Sequence, residues 1–374
     1  MNISKKSITS IFKPYLNVKD GYKGGKPIVA AKEGQKVYKL SSNENPVGTS
    51  PKAITAIKKH LTNLHIYPDT TDIRLRESLV AYYNNQLAID QFLCAASGSE
   101  LIDILIRGFI REEDEVIIST PCFVPYRMFS QWSGAKVVDV PLTDKEYELD
   151  VNGILKAINS KTRIVFLTSP NNPTGTYIPK VTLENLIKEI PSNIIVVFDE
   201  VYWHFADAPD YVKAINYLEK YPNIIAINSF SKTYGLAALR VGYAYTSIEI
   251  ANYLRQICKP FLISKLSLEG AIAALKDTTF IAETIRVVKT ERKFIQNEFD
   301  KLNINYTPSQ ANFFLLDPPI NDIKFTELMR NEGIAVRPVK NFGAAGKVRI
   351  SIGNREANKA MLHALARILG KLTN

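Results

Sequence analysis

The chain has 374 residues, 46% of them hydrophobic, which is enough for one large domain and a smaller second one. Its net charge of +10 comes from lysines spread along the chain, which indicates a solvated surface rather than a nucleic-acid-binding protein. Because no apolar stretch nears the roughly 18 residues of a membrane span, we expect a cytoplasmic protein without a membrane partner.

The cysteines and histidines argue against two kinds of site. Cys94, Cys122 and Cys258 are far apart and odd in number, which disfavours a disulfide framework and a CxxC metal site. The four histidines have no spacing typical of metal ligands. We therefore expect no metal site.

Residues 1–44 predict an arm that packs on another part of the protein. This arm includes a lysine- and glycine-rich segment near residues 19–26, and it runs into a turn-forming stretch at 40–46 that has the composition of an ordinary loop. Helices are then predicted at residues 51–61, 73–86 and 101–110.

Short apolar runs alternate with helical segments through the middle of the chain. The runs lie at residues 116–118, 136–140, 164–167, 194–198 and 224–227, and helices are predicted between them at 152–158 and 183–190. This alternation is typical of an α/β fold with a mostly parallel sheet that helices cover on both faces. We assign it to a large domain of residues 45–250.

The composition becomes more helical towards the carboxyl end. Residues 251–374 are predicted to form a small α+β domain, to which the arm of residues 1–44 contributes. Its predicted helices and strands, starting just before that boundary, are helices at residues 248–258, 265–275, 280–302, 325–332 and 357–369 and strands at 312–316 and 347–352.

A lysine follows the apolar run at residues 224–227. Lys232 is flanked by the hydroxyls of Ser229 and Ser231, and Arg240 comes eight residues later. Open α/β sheets bind ligands at the carboxyl ends of their strands. An arginine and two hydroxyls beside an amine suit an anionic phosphate next to a reactive nitrogen, although such a tetrapeptide alone is common in surface loops.

Two more polar loops follow neighbouring predicted strands. Residues 169–175 read S-P-N-N-P-T-G, which alone is a proline-containing turn. Asp199 follows the run at 194–198, where it is either a helix N-cap or the partner of a protonated ring nitrogen. In the second case Tyr202, one helical turn later, faces the same ligand.

These motifs, in this order and spacing, resemble those of the fold-type-I pyridoxal-phosphate aminotransferases, in particular the histidinol-phosphate aminotransferase branch. The resemblance extends from residue 13 to residue 353. It implies an aspartate aminotransferase-like fold, the cofactor pyridoxal 5′-phosphate, and transamination of histidinol phosphate with 2-oxoglutarate in histidine biosynthesis.

Other activities remain open within this resemblance. Close relatives of the branch act on aromatic amino acids, or decarboxylate threonine phosphate as lyases. A ligand-sensing domain fused to a DNA reader is disfavoured, because no helix-turn-helix segment precedes the domain.

The resemblance also implies roles for single residues. Lys232 would form a Schiff base with the cofactor and move protons, and Asp199 would pair with the ring nitrogen. Asn172 and Tyr202 would bind the phenolic oxygen of the cofactor, and Phe123 would stack on its ring. The phosphate would be bound by the backbone amides of Gly98 and Ser99 at a helix start, with Ser229, Ser231 and Arg240.

Substrate and subunit contacts are implied in the same way. Arg349 would bind the anionic group of the substrate beside Asn172. Arg337 and Tyr15 are candidates for further phosphate contacts. Each has a structural alternative, which for Arg337 is capping of the small domain. Tyr67 would reach the active site of a neighbouring subunit in a homodimer, unless it is a buried turn tyrosine.

The chain also departs from the family pattern. Residues 97–100 read S-G-S-E, which keeps the acid of the family pattern at Glu100 with serine before it. The sequence A-A-L-R at residues 237–240 has alanine where the family often has glycine. Neither change removes a catalytic group. The lysine-rich segment is a further departure, close to the amino-terminal substrate contact expected at Tyr15.

Overall fold

The computed structural model describes residues 8–16 and 34–373 of the chain. The lysine-rich segment near residues 19–26, and with it much of the arm predicted for residues 1–44, lies outside these described residues. Within them, no helix combines the length and the apolar composition needed to cross a lipid bilayer.

Serine side chains start several of the helices. Ser50, Ser97, Ser247 and Ser264 each accept a hydrogen bond from the backbone N–H three residues later, a donor that the helix itself leaves unpaired. In chain order the α-helices are α1 (Pro51–Lys58), α2 (Ile73–Tyr82), α3 (Gly98–Phe109), α4 (Val124–Trp132), α5 (Val151–Ala157), α6 (Lys180–Ile187), α7 (Ile248–Arg255), α8 (Lys265–Leu275), α9 (Thr278–Lys301), α10 (Asp322–Asn331) and α11 (Arg355–Thr373).

The strands form one large sheet and two small ones. In chain order they are β1 (Tyr38–Lys39), β2 (Phe92–Ala95), β3 (Glu115–Ile118), β4 (Lys136–Asp139), β5 (Thr162–Thr168), β6 (Ile195–Asp199), β7 (Ile224–Ser229), β8 (Gly242–Tyr245), β9 (Asn305–Thr307), β10 (Phe313–Asp317), β11 (Ile334–Ala335), β12 (Arg337–Pro338) and β13 (Val348–Ser351).

The large sheet has seven strands in the order β2-β8-β7-β6-β5-β3-β4. Strand β8 runs antiparallel to both of its neighbours, and the other pairs are parallel. The central strands are almost entirely buried, because helices pack on both faces, and this explains their uninterrupted apolar sequence. The predicted α/β class and the five predicted parallel strands are confirmed.

The smaller unit contains a four-stranded antiparallel sheet in the order β12-β13-β10-β9. A separate buried cluster lies between this sheet and helices α9, α10 and α11, and it includes Phe299, Phe314 and Met361. Strand β1 pairs in parallel with β11, which attaches the residues before the large sheet to the smaller unit.

Helix α8 packs in the same buried cluster as the large sheet, through Leu268, Ala271 and Ala274. Residues 14–16 also lie against the large sheet's side of the molecule, next to helix α4. The division of the chain after residues 44 and 250 stays a prediction.

The topology brings the ends of three parallel strands to one edge. Asp199 ends β6, where it lies opposite Thr168 of β5, and Ser229 ends the adjacent strand β7. A cavity of about 500 Å³ lies between this edge and the small sheet, whose strands contribute Arg337 and Arg349 to its lining. The predicted polar loops therefore meet at one place.

Candidate active site

The cavity collects most of the residues singled out from the sequence. Tyr15 and Tyr67 do not line it. Those that line it are Gly98, Ser99, Phe123, Asn172, Asp199, Tyr202, Ser229, Ser231, Lys232, Arg240, Arg337 and Arg349.

Lys232 is half-buried in the cavity, and its amine points towards the cavity wall at Ser42. Its Nζ donates a hydrogen bond to the carbonyl of Ser42 at 3.3 Å and lies 5.7 Å from the ring centre of Tyr202. Burial lowers the pKa of the Lys232 amine to about 7, and the positive charge of Arg349 acts in the same direction. A large fraction of this amine is therefore neutral and nucleophilic at physiological pH.

Asp199 is a buried carboxyl held from two sides. Tyr126 donates its hydroxyl proton to Oδ2 at 2.6 Å, and the backbone N–H of Val201 donates to Oδ1 at 3.1 Å. The pKa of the Asp199 carboxyl is raised above its usual value by burial, and these two hydrogen bonds offset part of that rise. The chain continues into a 3₁₀ turn at Trp203–Phe205, so the alternative role of Asp199 as an α-helix N-cap is wrong.

A cluster of hydrogen-bond donors lies at the start of helix α3. Gly98 and Ser99 are its first residues, where backbone N–H groups and the helix dipole favour negative charge. The backbone N–H of Ser231 donates to Ser229 Oγ at 3.1 Å, and Arg240 donates to Ser231 Oγ at 3.5 Å. These groups have the composition that a phosphate requires.

Two backbone features allow this arrangement. A side chain at Gly242 would lie 2.7 Å from the backbone nitrogen of Gly98, so only glycine lets strand β8 pass the helix start. Arg240 adopts a left-handed conformation with φ of 52°, which is unfavourable for a long side chain. At a residue that lines the cavity, backbone strain of this kind favours a functional role.

Two arginines from the small sheet face the lysine. Arg349 donates to Asn172 Oδ1 at 2.5 Å and to the carbonyl of Ser41 at 2.9 Å. Arg337 lies directly opposite Arg349 on the neighbouring antiparallel strand, and both guanidinium groups lie within 5.8 Å of the ring centre of Phe342. Paired side chains at such positions share one face of the sheet.

The segment of residues 41–45 was not predicted to belong to the site, although residues 41–44 line the cavity. Its carbonyls accept hydrogen bonds from Arg349 and Lys232, and Asn43 donates to the hydroxyl of Tyr202 at 3.0 Å. Asn45 donates to the carbonyl of Lys232 at 3.0 Å. The only sequence signal was the pair of asparagines in N-E-N-P, which is also ordinary turn composition.

Tyr126 was also missed. It follows Phe123, which lines the cavity, by three residues, and the two rings make an edge contact at 5.7 Å. A residue one helical turn after a site residue, at the start of a helix, is the signal that identifies it.

The two tyrosines outside the cavity lie on the protein surface. Tyr67 is 79% exposed and stacks on Phe261 at 4.7 Å, so the alternative of a buried turn tyrosine is wrong. Tyr15 donates to Glu112 at 3.2 Å beside helix α4.

A lysine, a buried carboxyl and the N-terminus of a helix therefore meet at one end of a parallel sheet. The family model of class I and II aminotransferases matches residues 35–365. The chain belongs to this aminotransferase family. The family assignment made from the motifs is confirmed.

Individual relatives of this aminotransferase are similar to it over nearly the whole chain. Histidinol-phosphate aminotransferase 2 of Hydrogenovibrio crunogenus is 36% identical over 360 residues, covering 95% of either chain. Histidinol-phosphate aminotransferase 1 of Idiomarina loihiensis is 34% identical over 352 residues, which are 93% of this chain and 95% of that protein.

A solved structure supports the fold. The crystal structure of histidinol-phosphate aminotransferase from Sinorhizobium meliloti, in complex with pyridoxal-5'-phosphate, matches with a TM-score of 0.85 and 24% identity. The match covers 97% of this chain and 98% of that one. The predicted aspartate aminotransferase-like fold, with its parallel-sheet large domain and smaller α+β unit, is confirmed.

Pyridoxal 5′-phosphate is the cofactor of this aminotransferase family, and the residues in the cavity are compatible with it. The neutral amine of Lys232 suits its aldehyde, and the buried carboxyl of Asp199 suits its ring nitrogen. The N-terminus of α3 with Arg240 suits its phosphate. The chain is a pyridoxal-phosphate-dependent aminotransferase.

Proposed function

We propose that this aminotransferase transfers the amino group of histidinol phosphate to 2-oxoglutarate, giving imidazole acetol phosphate and glutamate in histidine biosynthesis. Its curated relatives carry the name histidinol-phosphate aminotransferase at 33% to 36% identity, over nearly their full length.

The observation that carries this proposal is the pair of arginines, Arg337 and Arg349. They lie opposite each other on β12 and β13, are more than nine-tenths buried, and line the same cavity as Lys232. Two guanidinium groups on one side of a cavity can hold a phosphate dianion of the donor. The same pair can hold the carboxylates of glutamate, which must occupy the site in the second half-reaction.

The remaining residues are proposed to hold the cofactor. Asp199 pairs with its ring nitrogen, and Asn172 and Tyr202 hydrogen-bond its phenolic oxygen. Phe123 stacks on the ring, and the phosphate is bound by Gly98, Ser99, Ser229, Ser231 and Arg240. When bound, pyridoxal phosphate supplies an electron-accepting ring that stabilises negative charge on the substrate carbon.

Lys232 then acts as the acid–base group. Its Nζ takes the proton from the substrate carbon that carries the amino group, which requires a neutral amine close to that carbon. The burial that lowers the pKa of Lys232 to about 7 places the group near the pH at which it can both accept and return a proton.

We also propose a homodimer in which Tyr67 completes the site of the neighbouring subunit. The region around Tyr67 carries exposed apolar side chains, as expected of an interface, among them Leu61, Leu64, Ile66 and Phe261. Tyr15 is proposed as a substrate contact from the amino-terminal region. The cytoplasmic location and the division of the chain at residues 44 and 250 stay predictions.

Mixing two inactive variants tests the shared site. In a dimer of a Lys232→Ala subunit and a Tyr67→Ala subunit, one site carries both changes and the other carries neither. With random exchange of equal amounts, we expect about a quarter of all sites to be restored. Activity is measured after mixing, alongside a mixture of Lys232→Ala and Asp199→Ala subunits, which cannot restore a site because both residues come from the same chain. No recovery after demonstrated subunit exchange would count against the shared site.

A panel of donors tests the substrate. The cofactor-loaded enzyme is mixed with histidinol phosphate, tyrosine or threonine phosphate in the presence of 2-oxoglutarate, and glutamate and carbon dioxide are measured. We expect rapid glutamate formation with histidinol phosphate alone, since the curated relatives are named for this donor.

Two other outcomes of this panel would overturn the proposal. Preference for tyrosine would identify an aromatic aminotransferase, and carbon dioxide from threonine phosphate would identify a lyase.

A further inference from the structure

Asn43 lies in the 41–45 segment, between the small sheet and the cavity. We infer that Asn43 is a positioning residue that orients the hydroxyl of Tyr202, so that the Tyr202 proton is directed at the phenolic oxygen of the cofactor. This inference rests on the proposed role of Tyr202 in cofactor binding. It concerns a residue of the cavity lining that acts through the hydroxyl of Tyr202.

The orientation of the Asn43 amide is set by Ser351. The backbone N–H of Asn43 donates to Ser351 Oγ at 2.7 Å, and the Ser351 hydroxyl donates its proton to Asn43 Oδ1 at 2.9 Å. Turning the amide over would leave that hydroxyl proton without its acceptor and would place an N–H group against it. The oxygen of the amide therefore faces Ser351, and the nitrogen faces the cavity.

The amide nitrogen then fixes the polarity of the next hydrogen bond. Asn43 Nδ2 donates to the Tyr202 oxygen at 3.0 Å. A tyrosine hydroxyl has one proton. That proton cannot point towards Asn43, because the Asn43 amide N–H already points at the tyrosine oxygen. The Tyr202 proton must be donated elsewhere, and Tyr202 lines the cavity beside Lys232.

Asn43 itself is held firmly. It is 1% exposed, and its carbonyl accepts a hydrogen bond from Asn312 at 3.2 Å. Its φ of 53° is a left-handed conformation that asparagine and aspartate tolerate better than other residues with side chains. A fully buried amide with this many partners cannot reorient without losing several hydrogen bonds.

Replacing the amide by a carboxylate reverses the polarity with almost no change of shape. In the Asn43→Asp variant the oxygen facing Tyr202 can only accept, so it takes the hydroxyl proton away from the cofactor. The phenolic oxygen and the nitrogen of Lys232 hold one proton between them when the cofactor is bound to the lysine. A hydrogen bond donated by Tyr202 stabilises the negative oxygen without that proton, so its loss makes the proton bind more tightly.

The test is a pH titration of the visible absorbance of the lysine-bound cofactor, together with its dissociation constant. We expect the pH of the colour change to rise by about one unit in Asn43→Asp, to the value of Tyr202→Phe. The double variant should match Tyr202→Phe alone, because both changes remove the same hydrogen bond. The control is Asn303→Asp, an exposed asparagine with φ of 52°, which should leave the titration unchanged.

The outcomes separate the two claims. An unchanged titration in Asn43→Asp, or shifts of Asn43→Asp and Tyr202→Phe that add in the double variant, would overturn the inference; additivity would mean that the carboxylate acts by its charge alone. A wild-type protein that binds the cofactor without any lysine-dependent absorbance would instead overturn the proposed function, and the inference with it.

Discussion

The Lys232→Ala variant is expected to lose transamination by at least about 10⁴-fold while remaining folded. Among the described residues, Lys232 is the only lysine that lines the cavity. Burial has lowered the pKa of its amine to about 7. Alanine removes both the nucleophile and the proton carrier. Initial rates and thermal unfolding curves of the two proteins provide the measurement.

The matched control is Lys220→Ala, because Lys220 is exposed and lies on the ring of Tyr221, away from the cavity. It should retain the wild-type rate.

The pH dependence of cofactor capture provides a second check. Below pH 7 the Lys232 amine is protonated and cannot attack the cofactor. The capture rate should therefore rise through about pH 7 and then level off. A rate that continues to rise up to pH 10 would be that of an ordinary surface lysine, and near-normal turnover of Lys232→Ala would contradict the whole assignment.

The Asp199→Asn variant is expected to bind the cofactor about 10- to 100-fold more weakly and to lose at least about 100-fold in kcat. A charge-assisted hydrogen bond contributes about 1.5–3 kcal/mol, which corresponds to this loss of affinity. The loss in rate has a separate cause, since a ring nitrogen without an anionic partner holds its proton less well and accepts electrons less readily. Cofactor titration and steady-state kinetics measure the two effects.

Asp210→Asn serves as the control for this change. Asp210 is an exposed aspartate that accepts a hydrogen bond from Tyr177 at 2.7 Å, and its substitution should alter neither quantity. If Asp199→Asn kept its cofactor affinity and kcat, the carboxyl would serve only to hold the backbone at Val201 and the hydroxyl of Tyr126.

The central strands could be predicted from the sequence because they are buried on both faces. A run such as residues 224–227 has no polar interruption, as expected of a strand in the middle of a covered sheet. Strands β2 and β8 escaped prediction for the complementary reason. Strand β8 alternates glycine or alanine with tyrosine, and its place is set by antiparallel pairing to β2 and β7, which are far away in sequence.

The same distinction applies to the cavity. Residues such as Lys232 and Asp199 directly follow central strands, so the topology of a parallel sheet determines where they lie. The contacts made by Asn43 depend instead on a small-sheet strand some 300 residues later, at Ser351. Local composition carries no information on such a contact, and the asparagine was therefore indistinguishable from a turn residue.

The 41–45 segment has a further consequence for how this chain can vary. Surface loops usually accept insertions and deletions, because few of their backbone groups have fixed partners. Here consecutive carbonyls serve Arg349, Lys232 and Asn312, each through a specific hydrogen bond. One added residue displaces the chain by up to about 3.5 Å, more than the length of any of these bonds. The length of this loop is therefore as tightly constrained as the spacing of residues in a buried strand.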